Sequence, residues 1–206
     1  MNKILLITGA LAAMGAVQVA QAATTTYNVL ETFYEPETQP SDSIFKGSFD
    51  YDSVTHTVSN LHGILSESMT GSGLNGYPND DMTWLSLTHQ LSSVYDASLG
   101  GLLVTVFQNP STDTFQTAAG VKSWAPGGYA NYYGVPANGN AYAMIFVNTT
   151  DPLTALTQAQ INKLAYADCA PGGMMGAVCM TGTSQAGYGS VGTMSGYPVT
   201  QVVTKQ

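Results

Sequence analysis

Arginine is absent from this chain, and charged residues of any kind make up only 9% of it. Five lysines stand against thirteen acids, for a net charge of −8. Neutralising phosphate requires clustered Lys and Arg, so this composition disfavours a nucleic-acid partner and none is expected. It also disfavours an anionic lipid surface. Only two cysteines and three histidines occur. No C-x-x-C and no H-E-x-x-H pattern is present, which removes the thioredoxin-type and zincin-type sites. Long helix-forming stretches are missing as well. Beyond the first 22 residues no run of about 18 apolar residues occurs, so no spanning helix is expected there.

The first 22 residues read as a secretory leader. Lys3 supplies a short positive start, Ile4 to Ala20 is apolar, and Ala20, Gln21 and Ala22 form a small-x-small cleavage site. A membrane anchor is the competing reading. The cleavage site directly after an Ala- and Gly-rich segment favours removal. The expected organisation is therefore a signal peptide at 1–22 and a single β-rich domain at 23–206, exported to the periplasm or outside the cell. Cleavage would also remove Lys3 and leave the remainder more acidic.

The rest of the chain consists of short β-favouring runs separated by Gly, Pro, Asn and Asp. That pattern predicts a mainly β fold of sandwich-like antiparallel sheets with one short C-terminal α-helix. Thr24 to Tyr34 reads as a first strand. Phe45 to Leu65 reads as a hairpin. Phe45, Gly47, Phe49 and Tyr51 alternate with polar residues, Asp52 and Ser53 provide turn chemistry, and Thr57 to Leu61 resumes a β-favouring run. Met82 to Tyr95 is ambiguous in period, and its Thr and Ser content favours strand. Residues 102–107 and 142–147 are continuous apolar runs, as expected of buried central strands. Thr114 to Thr117 could pair back against the first of these. Thr157 and Gln160 form a capping box, which predicts a helix from Gln158 to about Ala167. A final strand is expected from Tyr197 to about Val203.

Few residues suggest chemistry. Cys169 and Cys179, in a chain carrying an export leader, are expected to form one disulfide across a glycine-rich loop. The loop near residues 124–142 places Trp124, Tyr129, Tyr132 and Tyr133 among glycines and prolines, a candidate surface for carbohydrate or an envelope protein. Asp80 and Asp81, beside Asn79, offer hard oxygen ligands that could hold calcium together with Asp50 or Asp52. Met174, Met175, Met180 and Met194 offer thioethers, but no Met-x-x-Met run supports a copper site. His56 and His62 are too far apart on a straight strand to share an ion, and His89 reads as a core or boundary residue. Glu31, Glu35 and Glu67 could supply a glycosidase carboxylate pair only if folding brings two of them together. No nucleophile-elbow spacing occurs.

The segment Gly47 to Asn60 resembles a pattern in uncharacterised exported bacterial proteins, many of which carry a PEP-CTERM sorting tail. In that pattern a strand ends in a Tyr-Asp pair (here Tyr51 and Asp52) and returns through Thr-x-Thr-Val-Ser-Asn (here Thr55 to Asn60). No Pro-Glu-Pro tail is present, so sorting by that route is not implied. The resemblance implies an exported β-rich protein and brings no catalytic residues. The expected function is thus a non-catalytic structural or binding role at the envelope or outside. The alternative is a secreted hydrolase of carbohydrate or ester substrates. An assembly subunit that donates its first strand to a neighbouring sheet is a third reading.

Overall fold

The computed structural model describes residues 24–34, 42–66, 83–111, 140–168, 181–186 and 193–206. Two sheets face each other. The first is five-stranded, with strands in the order β11-β1-β2-β3-β4: β11 is Val199–Lys205, β1 is Thr24–Phe33, β2 is Ser43–Asp52, β3 is Thr57–Ser66 and β4 is Trp84–Leu87. The second is six-stranded, in the order β10-β9-β8-β7-β6-β5: β10 is Thr193–Ser195, β9 is Thr181–Thr183, β8 is Ala165–Asp168, β7 is Ala141–Asn148, β6 is Gly101–Phe107 and β5 is His89–Asp96. Every pair is antiparallel except β9 with β10. The mainly β, sandwich-like architecture matches the alternation read from the sequence.

The apolar runs behave as expected. Every residue of β6 is buried, as is β7 as far as Val147, so both faces of these strands are covered. In the first sheet, Tyr27, Val29 and Phe33 of β1 meet Phe45, Phe49 and Tyr51 of β2 and Val58, Leu61 and Leu65 of β3 on the inner face. Phe33 meets Tyr166 of β8 edge-on, with ring centroids 4.8 Å apart, and so ties the two inner faces together. Gly47 and Gly63 are cross-strand partners beneath the Phe45 ring. A Cβ on Gly63 would lie 2.3 Å from the Lys46 carbonyl and 2.7 Å from the ring, so the aromatic occupies the space that two side chains would otherwise fill.

Two expected elements differ. The segment 82–95 is not one strand. It crosses from one sheet to the other at Thr88, whose N–H donates to the Phe107 carbonyl at 3.0 Å. A bulge between Gln90 and Ser92 then reverses the facing of the side chains, so Leu91 is 41% exposed although Leu85 and Leu87 are buried. The helix α1 covers only Gln158–Ile161. Its capping box is present, with Gln160 N–H donating to the Thr157 hydroxyl and Thr157 N–H to the Gln160 side-chain carbonyl. The expected continuation to Ala167 instead becomes β8, because pairing with β7 buries Ala165, Tyr166 and Ala167. Tertiary burial outweighs a small helix propensity here. Among the described residues, no helix is long and apolar enough to cross a membrane.

Candidate functional site

The residues singled out for chemistry mostly lie outside the described residues: Cys169, Cys179, Trp124, Tyr129, Tyr132, Tyr133, Asp80 and Asp81, with Glu35 and Glu67. The strand expected at 114–117 lies outside them too. The three histidines are described, and they serve separate places. His56 sits in the β2–β3 turn at φ 53° and pairs its Nδ1 with the Tyr51 hydroxyl at 2.9 Å. His62 lies on the solvent side of β3, between the Ser48 hydroxyl at 3.2 Å and the Asn60 carbonyl at 2.7 Å. His89 opens β5. Among the described residues, no three His, Cys, Asp or Glu side chains converge as metal ligands would.

The outer face of the five-stranded sheet carries the most coherent surface. Cross-strand register aligns Val202 of β11, Leu30 of β1, Lys46 of β2 and Ile64 of β3 in one row. Leu30, Ile64 and Val202 are 40%, 39% and 54% exposed. Trp84 of β4 faces the same way, and the Lys46 ammonium lies 4.6 Å from its ring centroid. A cation over an indole face is held electrostatically, which fixes the lysine at the centre of an otherwise aliphatic band. Polar rows adjoin the band. Asn28, Ser48 and His62 align next. Beyond them Asp50 accepts from Thr26 at 2.7 Å and from Asn60 at 3.2 Å. Asn60 adopts φ 56° at a bulge opposite β2, the left-handed conformation that Asn tolerates better than most residues. Sequence alternation located these residues on strands. Their meeting in one row depends on register, which no local signal encodes.

The inner face holds one group out of keeping with its surroundings. Glu31 is fully buried on β1, between Phe45 on one side and Gln201 on the other. Neither carboxyl oxygen has a hydrogen-bond partner among the described residues. Its one polar neighbour in the row is already committed: Gln201 accepts from the Phe146 N–H at 2.9 Å and donates to the Phe146 carbonyl at 2.7 Å. Burial therefore pushes the Glu31 carboxyl well above the ordinary range. Of the three glutamates weighed as a hydrolytic pair, only Glu31 lies within the described residues, and it is fully buried.

At the far end of the inner face, the Tyr51 hydroxyl also donates to the Thr149 carbonyl, so β2 is tied to the turn after β7. Burial, and after it the neighbouring Tyr27 and Asp52, raise the Tyr51 phenol. Asp52 itself is held low by the backbone N–H groups of Thr55 and Val54, a turn-closing role.

Comparison with family models, with curated proteins and with solved structures finds no match to the chain.

Proposed function

We propose that the protein is an exported, non-catalytic β-sandwich that serves at the envelope or outside the cell as a binding or structural module, with carbohydrate as the partner class to test first. One observation carries this reading: the exposed band of Val202, Leu30, Lys46 and Ile64, with Trp84 beneath the lysine, flanked on one side by the polar row of Asn28, Ser48 and His62. A flat surface of aliphatic and aromatic groups around one fixed donor suits the apolar faces and hydroxyls of a polysaccharide. Export rests on the leader-like residues 1–22 and on the resemblance of residues 47–60. The Cys169–Cys179 disulfide belongs to the same reading, and intact mass with and without reductant tests it. The hydrolase reading gains nothing from Glu31, which is sealed between the sheets.

Affinity electrophoresis through gels containing soluble polysaccharides tests the proposal. The wild-type protein is expected to be retarded by at least one of them, and Trp84→Ala to weaken that retardation by about tenfold, as loss of an interface aromatic commonly does. Retardation unchanged by Trp84→Ala and Ile64→Ser would remove the outer face from the account. Steady turnover of glycoside or ester substrates by the wild type would favour the hydrolase instead.

A further inference from the structure

The edges of the two sheets are not equivalent. β4 has four residues and β10 has three, too short to template another strand. β5 is broken by its bulge. Short edges and bulges are the usual protections against unwanted pairing. β11 has neither. It is seven residues long, its register with β1 is unbroken from Val199 to Lys205, and its sequence is Val-Thr-Gln-Val-Val-Thr-Lys, with the sole charge at the end.

The ladder identifies which backbone groups are free. Gln206 donates its N–H to the Thr26 carbonyl at 3.1 Å, and Tyr34 donates to the Pro198 carbonyl at 2.9 Å. Bonding alternates along an antiparallel pair, so the even-numbered residues of β11 exchange bonds with β1. The odd-numbered ones, Val199, Gln201, Val203 and Lys205, turn their N–H and C=O groups away from it. None of these four has a backbone partner among the described residues.

We infer that β11 is a self-pairing edge, and that two copies of the chain associate by antiparallel β11–β11 addition into one continuous ten-stranded sheet. The strand is self-complementary about Val202. With a two-fold axis there, Val199 pairs with the partner's Lys205 and Gln201 with the partner's Val203, and all four outward-facing positions are satisfied by roughly eight main-chain hydrogen bonds. Val202 meets its own copy as a non-hydrogen-bonded pair, with Cα atoms about 4.5 Å apart, the closer of the two antiparallel spacings. Val202 is the most exposed member of the outer-face band, and this contact covers it. It also joins the Leu30–Lys46–Ile64 rows of both copies across the axis. Lys205 lies far from its counterpart in this register, so no like charges meet. A strand from another protein would lack this symmetry, and pairing between copies needs no second component. The inference stands whether or not the outer face binds carbohydrate.

Sedimentation velocity of the purified protein, from low to high micromolar concentration, is expected to show a monomer–dimer equilibrium. Val202→Lys and Val202→Glu each place like charges at the axis, and each variant alone is expected to sediment as a monomer. An equimolar mixture of the two is expected to regain the dimer, because opposite charges then face each other. Far-UV circular dichroism, expected to be unchanged at so exposed a position, separates this effect from misfolding. Val202→Cys tests the register. Under mild oxidant it should form a disulfide-linked dimer that the wild type and Thr200→Cys do not, whereas Thr200→Cys mixed with Thr204→Cys should cross-link. A wild-type monomer at every concentration overturns the inference, as does a dimer that persists unchanged in both charge variants. Cross-linking of Thr200→Cys alone, without Val202→Cys, overturns the register.

Discussion

Glu31 shows how one residue can act on the whole molecule without touching a ligand. Its carboxyl is enclosed by Phe45, by the neighbours Val29 and Phe33 along β1, and by a glutamine whose amide is engaged elsewhere. Ionising it would place a bare charge in the core, so the folded state retains the proton above the unfolded value of about 4.5. The sign follows from proton binding. Between the unfolded and the raised folded value, the folded chain binds more protons than the unfolded one. Glu31 therefore contributes fully below the unfolded value, and its contribution is lost as pH rises toward the folded value. Glu31→Gln is expected to remove that fall. Urea denaturation from pH 4 to pH 8 should give a midpoint that declines with pH more steeply in the wild type than in the variant. Parallel curves would mean that Glu31 finds a partner in solution. Nothing in the alternation of β1 marks this position, because a glutamate at an inward register looks like any polar interruption until the register is known.

Glutamines do the corresponding work between elements. β8 pairs with β7 only from Ala141 to Met144, and beyond that point the β7 edge at Phe146 is closed by the Gln201 side chain. On the opposite side of the sandwich, β4 ends at Leu87 as the chain crosses to β5. The β3 edge left behind is closed by Gln90, which accepts from Leu61 N–H at 2.8 Å and donates to the Val58 carbonyl at 2.9 Å. At both strand edges a side-chain amide replaces a missing strand, offering one donor and one acceptor as a peptide group would. Gln160 bridges elements differently, donating to the Leu99 carbonyl in the β5–β6 turn at 2.9 Å while its oxygen caps α1. Gln90→Ala and Gln201→Ala each leave a backbone N–H and C=O unpaired, and each is expected to cost about 1–3 kcal/mol. Gln158→Ala, on the exposed side of α1, should stay within about 0.5 kcal/mol. Equilibrium unfolding in urea measures all three, and equal small effects would reduce the two bridges to surface contacts. The capping box at Thr157 and Gln160 was legible beforehand because it is a four-residue pattern. The bridges at Gln90 and Gln201 were not, since each joins residues about 30 or more positions apart.

At the scale of the molecule, one apolar cluster among the described residues runs from Tyr27 and Phe49 in one sheet to Val104, Ile145 and Tyr166 in the other. The sheets are joined again by Tyr51 at Thr149 and by the crossing at Thr88. Such coupling predicts one cooperative transition. With Trp124→Phe leaving Trp84 as the sole tryptophan, fluorescence reports the first sheet while far-UV circular dichroism reports both. The two urea midpoints are expected to coincide, and separated midpoints would show sheets that fold independently.

The hairpin at 45–65 and the central strands at 102–107 and 142–147 could be read from residues alone, because a period of two and a sustained apolar run are local consequences of burial. Composition likewise set an expectation against a nucleic-acid partner without any fold, since an arginine-free acidic chain is poorly suited to neutralising a phosphate backbone. Other features had to wait for distant residues to meet. The bulges at Asn60 and Gln90 reverse side-chain facing, so alternation alone misdirects Leu91. Competition for the β7 edge turned the end of an expected helix into β8. Register placed a carboxylic acid among phenylalanines, assembled Val202, Leu30, Lys46 and Ile64 into one row, and left β11 with an unprotected edge. Each depends on which strand lies beside which, and strand pairing is set by burial summed over the whole sandwich rather than by the preferences of any one segment.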